Sequence, residues 1–178
     1  MVYPTDSCYA LGCRIGDKDA MQRIRAIRHI DARHHFALVC RDLSEIATYA
    51  RVNDQQFRLL KAATPGSYTF ILKATREVPK RLQHPSRRTI GVRVPDHRIV
   101  AALLDELGEP IVSSTLLLPG EAQPLNDPPE IRRRLEHQVD LVIDGGSCGV
   151  VPTTIVQLTD DVPVIIRTGK GSTAVLTR

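Results

Sequence analysis

Polar side chains recur in this chain at the points where predicted strands end. Loops at strand ends are where α/β proteins place the groups that bind ligands. Pro4 fixes its own φ and favours an extended Tyr3, so the first strand ends just before the first polar cluster. The clusters are Thr5-Asp6-Ser7, Thr64-Pro65-Gly66-Ser67, Ser113-Ser114-Thr115, Pro152-Thr153-Thr154 and Arg167-Thr168-Gly169.

Hydroxyl groups and arginines together suit an anionic ligand. Hydroxyls donate to phosphate and carboxylate oxygens, and a guanidinium offers a bidentate fork. Arg93 lies inside a strand that is otherwise rich in valine, and a buried arginine needs an anionic partner from the protein or from a ligand. Each cluster alone is also compatible with an ordinary turn. Five clusters at strand ends predict a wide polar cleft for an anionic ligand.

Other familiar sites receive little support from the sequence. There is no Walker loop, no G-x-G-x-x-G and no G-x-S-x-G elbow. A hydrolase triad can be composed from Ser113, His34 and Asp6, but such triads are recognised by geometry and not by sequence order. The first two cysteines and the histidine pair match no standard zinc spacing, so no metal site is predicted.

The size and composition bound the class of protein. The 178 residues are 42% hydrophobic and 25% charged, which predicts one well-cored domain over residues 1–178. A net charge of +4 suits a phosphate-bearing ligand without requiring one. There is no C-x-x-C pair, no signal peptide and no apolar run of about 20 residues, so we expect a cytoplasmic, reduced protein with no membrane partner. It is expected to be a monomer or a weak dimer.

The predicted elements alternate between helices and strands. Helices are predicted to begin after caps at Asp17, Asp42, Asn53, Asp96 and Asp127. Strands are predicted at 36–40, 68–73, 89–94, 111–113, 141–143, 154–158 and 162–167. The alternation, followed by strands at the end, predicts an α/β domain with a mixed sheet. The long loop from Pro119 to Asp127 is a candidate for a mobile cover over a site.

Several segments in register resemble the YrdC/YciO family. The resemblance covers nearly the whole chain, in the order in which the family carries its motifs. The segments are Tyr3-Pro4-Thr5-Asp6-Ser7-Cys8-Tyr9-Ala10-Leu11-Gly12, Thr64-Pro65-Gly66-Ser67-Tyr68-Thr69-Phe70, Ile90-Gly91-Val92-Arg93-Val94-Pro95, Ser113-Ser114-Thr115, Pro152-Thr153-Thr154-Ile155-Val156 and Ile166-Arg167-Thr168-Gly169.

The resemblance implies a twisted, mixed α/β sheet with a large, concave, positively charged face. The best-known members are L-threonylcarbamoyladenylate synthases, which join bicarbonate, L-threonine and ATP and release diphosphate in the t6A modification of tRNA. By this resemblance ATP, accompanied by Mg²⁺, is a substrate, and no cofactor is tightly bound. The catalytic residues stay unassigned. The nucleotide- and substrate-binding residues predicted by strand-end position and resemblance are Thr5, Arg28, His34, Arg93, Ser113, Ser114, Thr115, Thr153 and Arg167.

Departures from the family motifs point to the YciO branch. Synthases carry Lys-x-Arg where this chain has Arg28-His29-Ile30, and Ala-Asn where it has Leu116-Leu117. Losing charge-assisted contacts to phosphate or carboxylate typically costs a few kcal/mol each. We therefore predict low or altered synthase activity with nucleotide binding retained. Family members also usually carry a helix and most of a strand before the first motif, where this chain has only Met1-Val2.

A second function remains open at this point. Members of the family have also been described as binders of double-stranded RNA or of ribosomal precursors. Arginines on the predicted helices could contact tRNA, rRNA or double-stranded RNA through phosphates, or could simply be solvated. The strand-end hydroxyls favour the nucleotide-binding enzyme, because an RNA surface needs exposed cations more than hydroxyls in a cleft. The helical arginines are Arg23, Arg25, Arg28, Arg33, Arg132, Arg133 and Arg134.

Overall fold

The computed structural model describes residues 1–160 and 162–176. Its eight strands are β1 (Val2–Tyr3), β2 (Ala10–Arg14), β3 (Ala37–Val39), β4 (Tyr68–Lys73), β5 (Thr89–Arg93), β6 (Ile111–Thr115), β7 (Thr154–Gln157) and β8 (Val164–Arg167). The helices are α1 (Lys18–Arg28), α2 (Leu43–Tyr49), α3 (Asp54–Ala63), α4 (Arg98–Leu107) and α5 (Pro128–Leu135), with 3₁₀ turns at Lys80–Leu82 and Thr173–Leu176. None of the helices described is both long and apolar enough to cross a bilayer.

All eight strands belong to one mixed sheet, in the order β1-β2-β6-β3-β5-β4-β7-β8. The pairs β3/β5 and β4/β7 are parallel, and the other neighbours are antiparallel. The predicted α/β fold with a mixed sheet is confirmed. Strand β8 pairs with β7, and Val164, Ile165 and Ile166 on it are exposed.

The two faces of the sheet are covered unequally. Successive side chains of a strand point to opposite faces. One face carries Leu38, Val92 and Val112 into the main core, which also receives buried residues of α1, α2, α3 and α5. The other face carries Val39 and Ile111, which pack with Val100 and Leu104 of α4 in a smaller core. Beyond that smaller core, this second face presents small and polar side chains.

Caps account for most helix ends. Asp17 accepts from the Ala20 amide at 2.9 Å, and Asn53 and Gln56 form the predicted capping box of α3. The prediction for α4 is wrong by one residue, because His97 and not Asp96 is the N-cap. The reason is that the Asp96 amide donates to Asp6 Oδ2 at 2.9 Å, which holds Asp96 outside the helix.

Three strand predictions need correction. Strand β2 was not predicted. The predicted strand at 141–143 is reduced to a bridge between Val142 and Val2, since β1 is only two residues long before Pro4. The last strand begins at Val164 and not at Val162, because Pro163 has no amide hydrogen for the ladder.

Gly12 should tolerate no side chain. A Cβ there would lie 2.6 Å from Tyr3 Cε1 and 2.7 Å from Ile111 Cγ2, which is far inside contact distance. We expect Gly12→Ala to lower the free energy of unfolding by about 1–3 kcal/mol through overpacking. Urea denaturation measures this. Gly91→Ala is the control, since its Cβ would approach no neighbour more closely than Thr69 Cγ2, at 3.3 Å. Equal stabilities of the two variants would contradict the packing described for Gly12.

Candidate functional site

A cavity of about 320 Å³ opens on the less covered face of the sheet. Eight of the nine predicted site residues line it, namely Arg28, His34, Arg93, Ser113, Ser114, Thr115, Thr153 and Arg167. They come from α1, the loop after it, β5, β6, the loop before β7, and β8. We call this space the arginine cavity. Segments far apart in sequence therefore meet here, although Ser113, Ser114 and Thr115 lie within β6 and not past its end.

Arg28, at the C-terminal end of α1, organises one wall of the arginine cavity. Its Nη1 donates to Ser114 Oγ at 2.5 Å and to His34 Nε2 at 3.2 Å. Its Nε donates to the Leu117 carbonyl at 3.2 Å. Burial lowers the pKa of Arg28 from its usual value, but an arginine side chain keeps its charge. No carboxylate pairs with this guanidinium among the residues that the structure describes.

His34 is a neutral acceptor in this wall. Burial, and then the charge of Arg28, lower the pKa of His34 to about 4. The ring is therefore uncharged at pH 7, and its Nε2 can accept from the guanidinium or from Ser114 Oγ, 3.4 Å away. Because the ring is neutral, Arg28 is the only cation among Arg28, His34 and Ser114.

Arg93 is the buried arginine for which the sequence required an anionic partner. Only 7% of the residue is exposed, and its Nη2 donates to Asp6 Oδ1 at 2.9 Å and to Ser7 Oγ at 3.2 Å. Its Nε is buried and has no hydrogen-bond partner within the described chain. The protein thus supplies the counter-ion but leaves one donor of this cavity-lining arginine unused.

Arg167 and two threonines form the opposite wall. Arg167 donates to the Thr153 carbonyl from Nε at 3.2 Å and from Nη2 at 2.9 Å. The hydroxyls of Thr153 and Thr69 are 2.8 Å apart. Burial lowers the pKa of Arg167, and no carboxylate within the described ranges pairs with it. The guanidinium of Arg167 is therefore oriented by a neutral carbonyl, and its positive charge remains available to a ligand.

Ser113, His34 and Asp6 do not form a hydrolase triad. Ser113 Oγ is 2.6 Å from Tyr3 Oη, and Asp6 is engaged with Arg93. Burial raises the pKa of Tyr3 to about 12, so its phenol stays protonated beside Ser113. The histidine contacts Ser114 and not Ser113.

Thr5 is the predicted residue that the structure places outside the cavity lining. It is fully buried, and its hydroxyl donates to the Cys8 carbonyl at 2.6 Å. The same oxygen accepts from the amides of Ser7 and Cys8, each at 3.2 Å. Thr5 therefore shapes the turn that positions Asp6.

Part of the long loop from Pro119 to Asp127 contributes to the cavity lining. Ala122, Gln123 and Pro124 belong to the lining. The loop is tied down by Asn126 Oδ1, which accepts from the amides of Cys148 and Gly149 at 2.8 and 2.9 Å. Ala37 and Val150 also belong to the lining, and the sequence carries no functional signal for them.

The two departures from the synthase motifs have different positions. Leu117 lines the cavity, and its carbonyl holds Arg28. Ile30, at the place of the second synthase arginine, is outside the lining, and its amide donates to the Arg25 carbonyl at 3.1 Å. The chain therefore keeps the first cation of the synthase motif and replaces the second with an apolar residue.

Several helical arginines are engaged by the protein itself. Arg132 and Arg134 pair with glutamates, and Arg23 with Asp140. Arg25 lies over the ring of Phe36, 4.9 Å from its centroid. These contacts pair part of the positive charge that an RNA-binding surface would need for phosphates. The lining of the arginine cavity, in contrast, contains no aspartate or glutamate within the described part of the chain.

Comparison with known proteins assigns the family. The sequence model of the Sua5/YciO/YrdC family, whose description reads "Telomere recombination", matches residues 1–169. The chain belongs to the Sua5/YciO/YrdC family. It is 61% identical to an uncharacterized protein of Haemophilus influenzae over 98% of this chain and 84% of that protein. The crystal structure of Escherichia coli YciO superposes with a TM-score of 0.93 at 56% identity, covering 98% of this chain and 85% of that one.

Synthases are more distant members of the family. The threonylcarbamoyl-AMP synthase of Idiomarina loihiensis is 31% identical over 88% of this chain and 85% of that protein. The crystal structure of Pyrococcus abyssi Sua5 complexed with L-threonine shares the fold, with a TM-score of 0.85 at 24% identity. This structure matches 94% of this chain but 49% of the Sua5 chain. The predicted membership of the family and the predicted resemblance to YciO are confirmed.

Removing Asp6 should destabilise the protein strongly. Asp6→Ala leaves the buried Arg93 charge uncompensated, which typically costs about 3–5 kcal/mol of unfolding free energy. Urea denaturation measures the loss. The double variant Asp6→Ala with Arg93→Met should recover much of it. Glu109→Ala is the control, because it breaks the exposed pair with Arg14 and should cost less than about 1 kcal/mol. A small loss for Asp6→Ala would contradict the pairing.

Stability should fall on acidification through the range set by His34. The folded pKa of about 4 is below the ordinary 6.5, so the unfolded chain takes up this proton first as the pH falls. The contribution of His34 is complete above pH 6.5, is lost between about pH 6.5 and 4, and is constant below. Urea denaturation across this range should show a shallower dependence for His34→Gln. An NMR titration of the His34 ring near 6.5 would refute the assignment.

Proposed function

We propose that this protein binds ATP and L-threonine in the arginine cavity and is a threonylcarbamoyl-AMP synthase-like nucleotidyltransferase with low or altered activity. The observation that carries the proposal is the composition of the cavity. Three arginines and a set of hydroxyls converge in it, and its described lining contains no carboxylate. Such a set favours a polyanionic ligand, because each cation can make charge-assisted hydrogen bonds. Membership in a family that includes synthases supports the choice of ATP and threonine.

In this proposal the residues of the arginine cavity bind different parts of the ligands. Arg28 and Arg167, which have no carboxylate partners in the described chain, hold the phosphates, and the charge of Arg93 adds to the positive potential of the cavity. Ser114 and Thr153 orient these guanidinium groups and offer hydroxyls to the ligand. His34, which is neutral, accepts from Arg28 at Nε2 and helps to hold this guanidinium in position. A Mg²⁺ ion that accompanies ATP would be held by the phosphates, since the cavity offers it no carboxylate.

The expected chemistry follows the family reaction. Bicarbonate and the amine of threonine form a carbamate with loss of water, and the carbamate oxygen attacks the α-phosphorus of ATP. The bond to the β-phosphate breaks, and diphosphate leaves with the electron pair. Fixed cations stabilise the charge that develops on the leaving group. Leu117, at one of the two altered motif positions, lines the cavity and offers that charge no polar side chain, whereas Ile30 lies outside the lining.

Arg167→Ala tests nucleotide binding. Loss of a charge-assisted contact of about 1–3 kcal/mol should weaken the affinity for ATP roughly 5- to 150-fold in titration calorimetry. Arg132→Ala, on the exposed surface of α5, is the matched control and should bind ATP normally. Equal affinities of the two variants would refute the role of Arg167.

The rate of diphosphate release tests the activity. With ATP, L-threonine and bicarbonate, we expect a rate about 10²–10³-fold below that of a synthase with Lys-x-Arg measured under the same conditions. The double substitution Ile30→Arg with Leu117→Asn should raise the rate. A rate equal to that of the synthase would show that these two positions are remote from the chemistry. Binding to double-stranded RNA with a steep salt dependence, and none to ATP, would favour an RNA-binding function.

A further inference from the structure

Tyr3 lies behind the lining of the arginine cavity and is linked to it by one hydrogen bond. The residue is fully buried and belongs to the smaller core, with Val39 and Ile111. Its Oη is 2.6 Å from Ser113 Oγ. Ser113 lines the cavity, whereas Tyr3 does not. The serine therefore connects a phenol that no ligand can reach with a space that a ligand can enter.

Gly12 makes this contact possible. Strand β2 lies between β1, which carries Tyr3, and β6, which carries Ser113. Gly12 is the partner of Ser113 in the register of β2 and β6, and a Cβ on Gly12 would lie 2.6 Å from Tyr3 Cε1. The tyrosine ring therefore crosses β2 in the space that the missing side chain leaves open. The position of the phenol is thus fixed by the sheet itself.

The two hydroxyl groups share one hydrogen bond, so one of their two hydrogens needs another acceptor. Burial raises the pKa of Tyr3 to about 12, so the phenol keeps its hydrogen at neutral pH. Within the described chain, Ser113 is the only hydrogen-bond partner of Tyr3 Oη. A phenol that accepted from Ser113 would leave its own hydrogen buried without an acceptor, which costs the desolvation penalty of that group. Tyr3 therefore donates, and Ser113 accepts.

Donation by Tyr3 sets the direction of the Ser113 hydrogen. A serine hydroxyl has one hydrogen to donate, and no acceptor for it is present among the residues that the structure describes. Because Ser113 borders the cavity, this hydrogen is free for an acceptor there. Neighbouring hydrogen bonds polarise one another, so accepting from a phenol also makes the serine a stronger donor. An oxyanion in the cavity would receive this hydrogen.

We propose that Tyr3 is a positioning residue that acts through Ser113, whose hydroxyl it orients as a fixed donor to an oxyanion of the bound substrate. The inference rests on the proposed function and extends it to a residue behind the cavity lining. The shared hydrogen bond, the full burial of Tyr3 and the place of Ser113 in the lining carry it. The oxyanion is a phosphate of ATP or the carboxylate of L-threonine, and separate titrations distinguish the two.

Tyr3→Phe tests the proposal, because it keeps the buried ring and removes only the hydroxyl. In titration calorimetry we expect Ser113→Ala to weaken the binding of ATP or of L-threonine about three- to tenfold. Tyr3→Phe should weaken the same ligand, and by less, since Ser113 then keeps its hydroxyl but loses its orientation. Added to Ser113→Ala, Tyr3→Phe should change the affinity less than about twofold, because the two residues act as one unit.

Tyr9→Phe is the matched control. Tyr9 is also fully buried, and its Oη donates to the Gly146 carbonyl at 2.7 Å and accepts from the Gly145 amide at 3.1 Å, outside the cavity lining. The loss of this hydroxyl should lower the stability but change the affinity for either ligand less than about twofold. Urea denaturation of every variant separates a general loosening of the fold from the loss of a ligand contact.

The hydroxyl proton of Tyr3 gives a second measurement that needs no substitution, and it carries the test if Tyr3→Phe does not fold. In NMR spectra of the protein with labelled tyrosine, this proton should exchange slowly with water, because Tyr3 is buried and donates to Ser113. Its resonance should shift when the ligand binds, since the ligand then accepts from the same serine.

Each outcome supports or overturns the proposal. Unchanged affinity of Tyr3→Phe for both ligands, with normal binding by the unsubstituted protein, would overturn the role of Tyr3 and leave the proposed function standing. Losses for Tyr3→Phe and Ser113→Ala that multiply in the double variant would also overturn it, as would a Tyr3 hydroxyl proton that does not respond to ligand. Failure of the unsubstituted protein to bind ATP would refute the proposed function, and the role of Tyr3 with it.

Discussion

The buried ion pair between Asp6 and Arg93 is the interaction on which the arrangement of the site depends. Its carboxylate also accepts from the Asp96 amide at the entrance to α4, and the backbone carbonyl of Asp6 accepts from Ser67 and Lys170. Segments that precede β4 and α4, or follow β8, are thereby fastened to the loop after β1. Burying two charges is expensive unless they are paired and hydrogen-bonded, and here Arg93 Nη2 donates to Asp6 and Ser7 while Asp6 also accepts from the Asp96 amide.

The ion pair also helps to explain how several arginines can line one cavity that contains no carboxylate. Burial, and then the charge of Arg93, lower the pKa of Arg167, and the pairing of Arg93 with Asp6 at 2.9 Å offsets part of this repulsion. The guanidinium groups of Arg28 and Arg167 are directed by neutral acceptors, which are the carbonyls of Leu117 and Thr153. A ligand anion would therefore meet cations whose positions are already fixed, which reduces the cost of ordering them on binding.

Of the nine site residues predicted from the sequence, eight line the cavity and Thr5 does not. Arg93, Ser113, Thr153 and Arg167 lie together there, although Ser113 is within β6 and not past its end. The same reasoning failed for two residues whose polar groups are engaged by the protein itself. The Thr5 hydroxyl is hydrogen-bonded within its own turn. His97 and not Asp96 caps α4, because the Asp96 amide donates to Asp6.

Other elements were missed because their pattern is ambiguous. Strand β2 has four consecutive buried residues and no alternation, which cannot be distinguished from part of a loop or a helix by periodicity. The segment 141–143 has the composition of a strand but too short a partner in β1. The apolar lining of the cavity, such as Ala37 and Val150, carries no chemical signal in the sequence. Only the fold reveals it.

One guanidinium of the cavity is mounted on the outermost strand of the sheet. Strand β8 hydrogen-bonds with β7, its register shifts opposite Ile155 and Val156, and three of its apolar side chains are exposed. Edge elements with few buried contacts open with the smallest free energy in native-state fluctuations. Each such opening would carry Arg167 away from Thr153, and an anion bridging Arg167 and Arg28 would oppose it. Binding of an anion in the cavity would thus be thermodynamically linked to the local opening of the sheet edge, and amide hydrogen exchange in β8 reports on this opening.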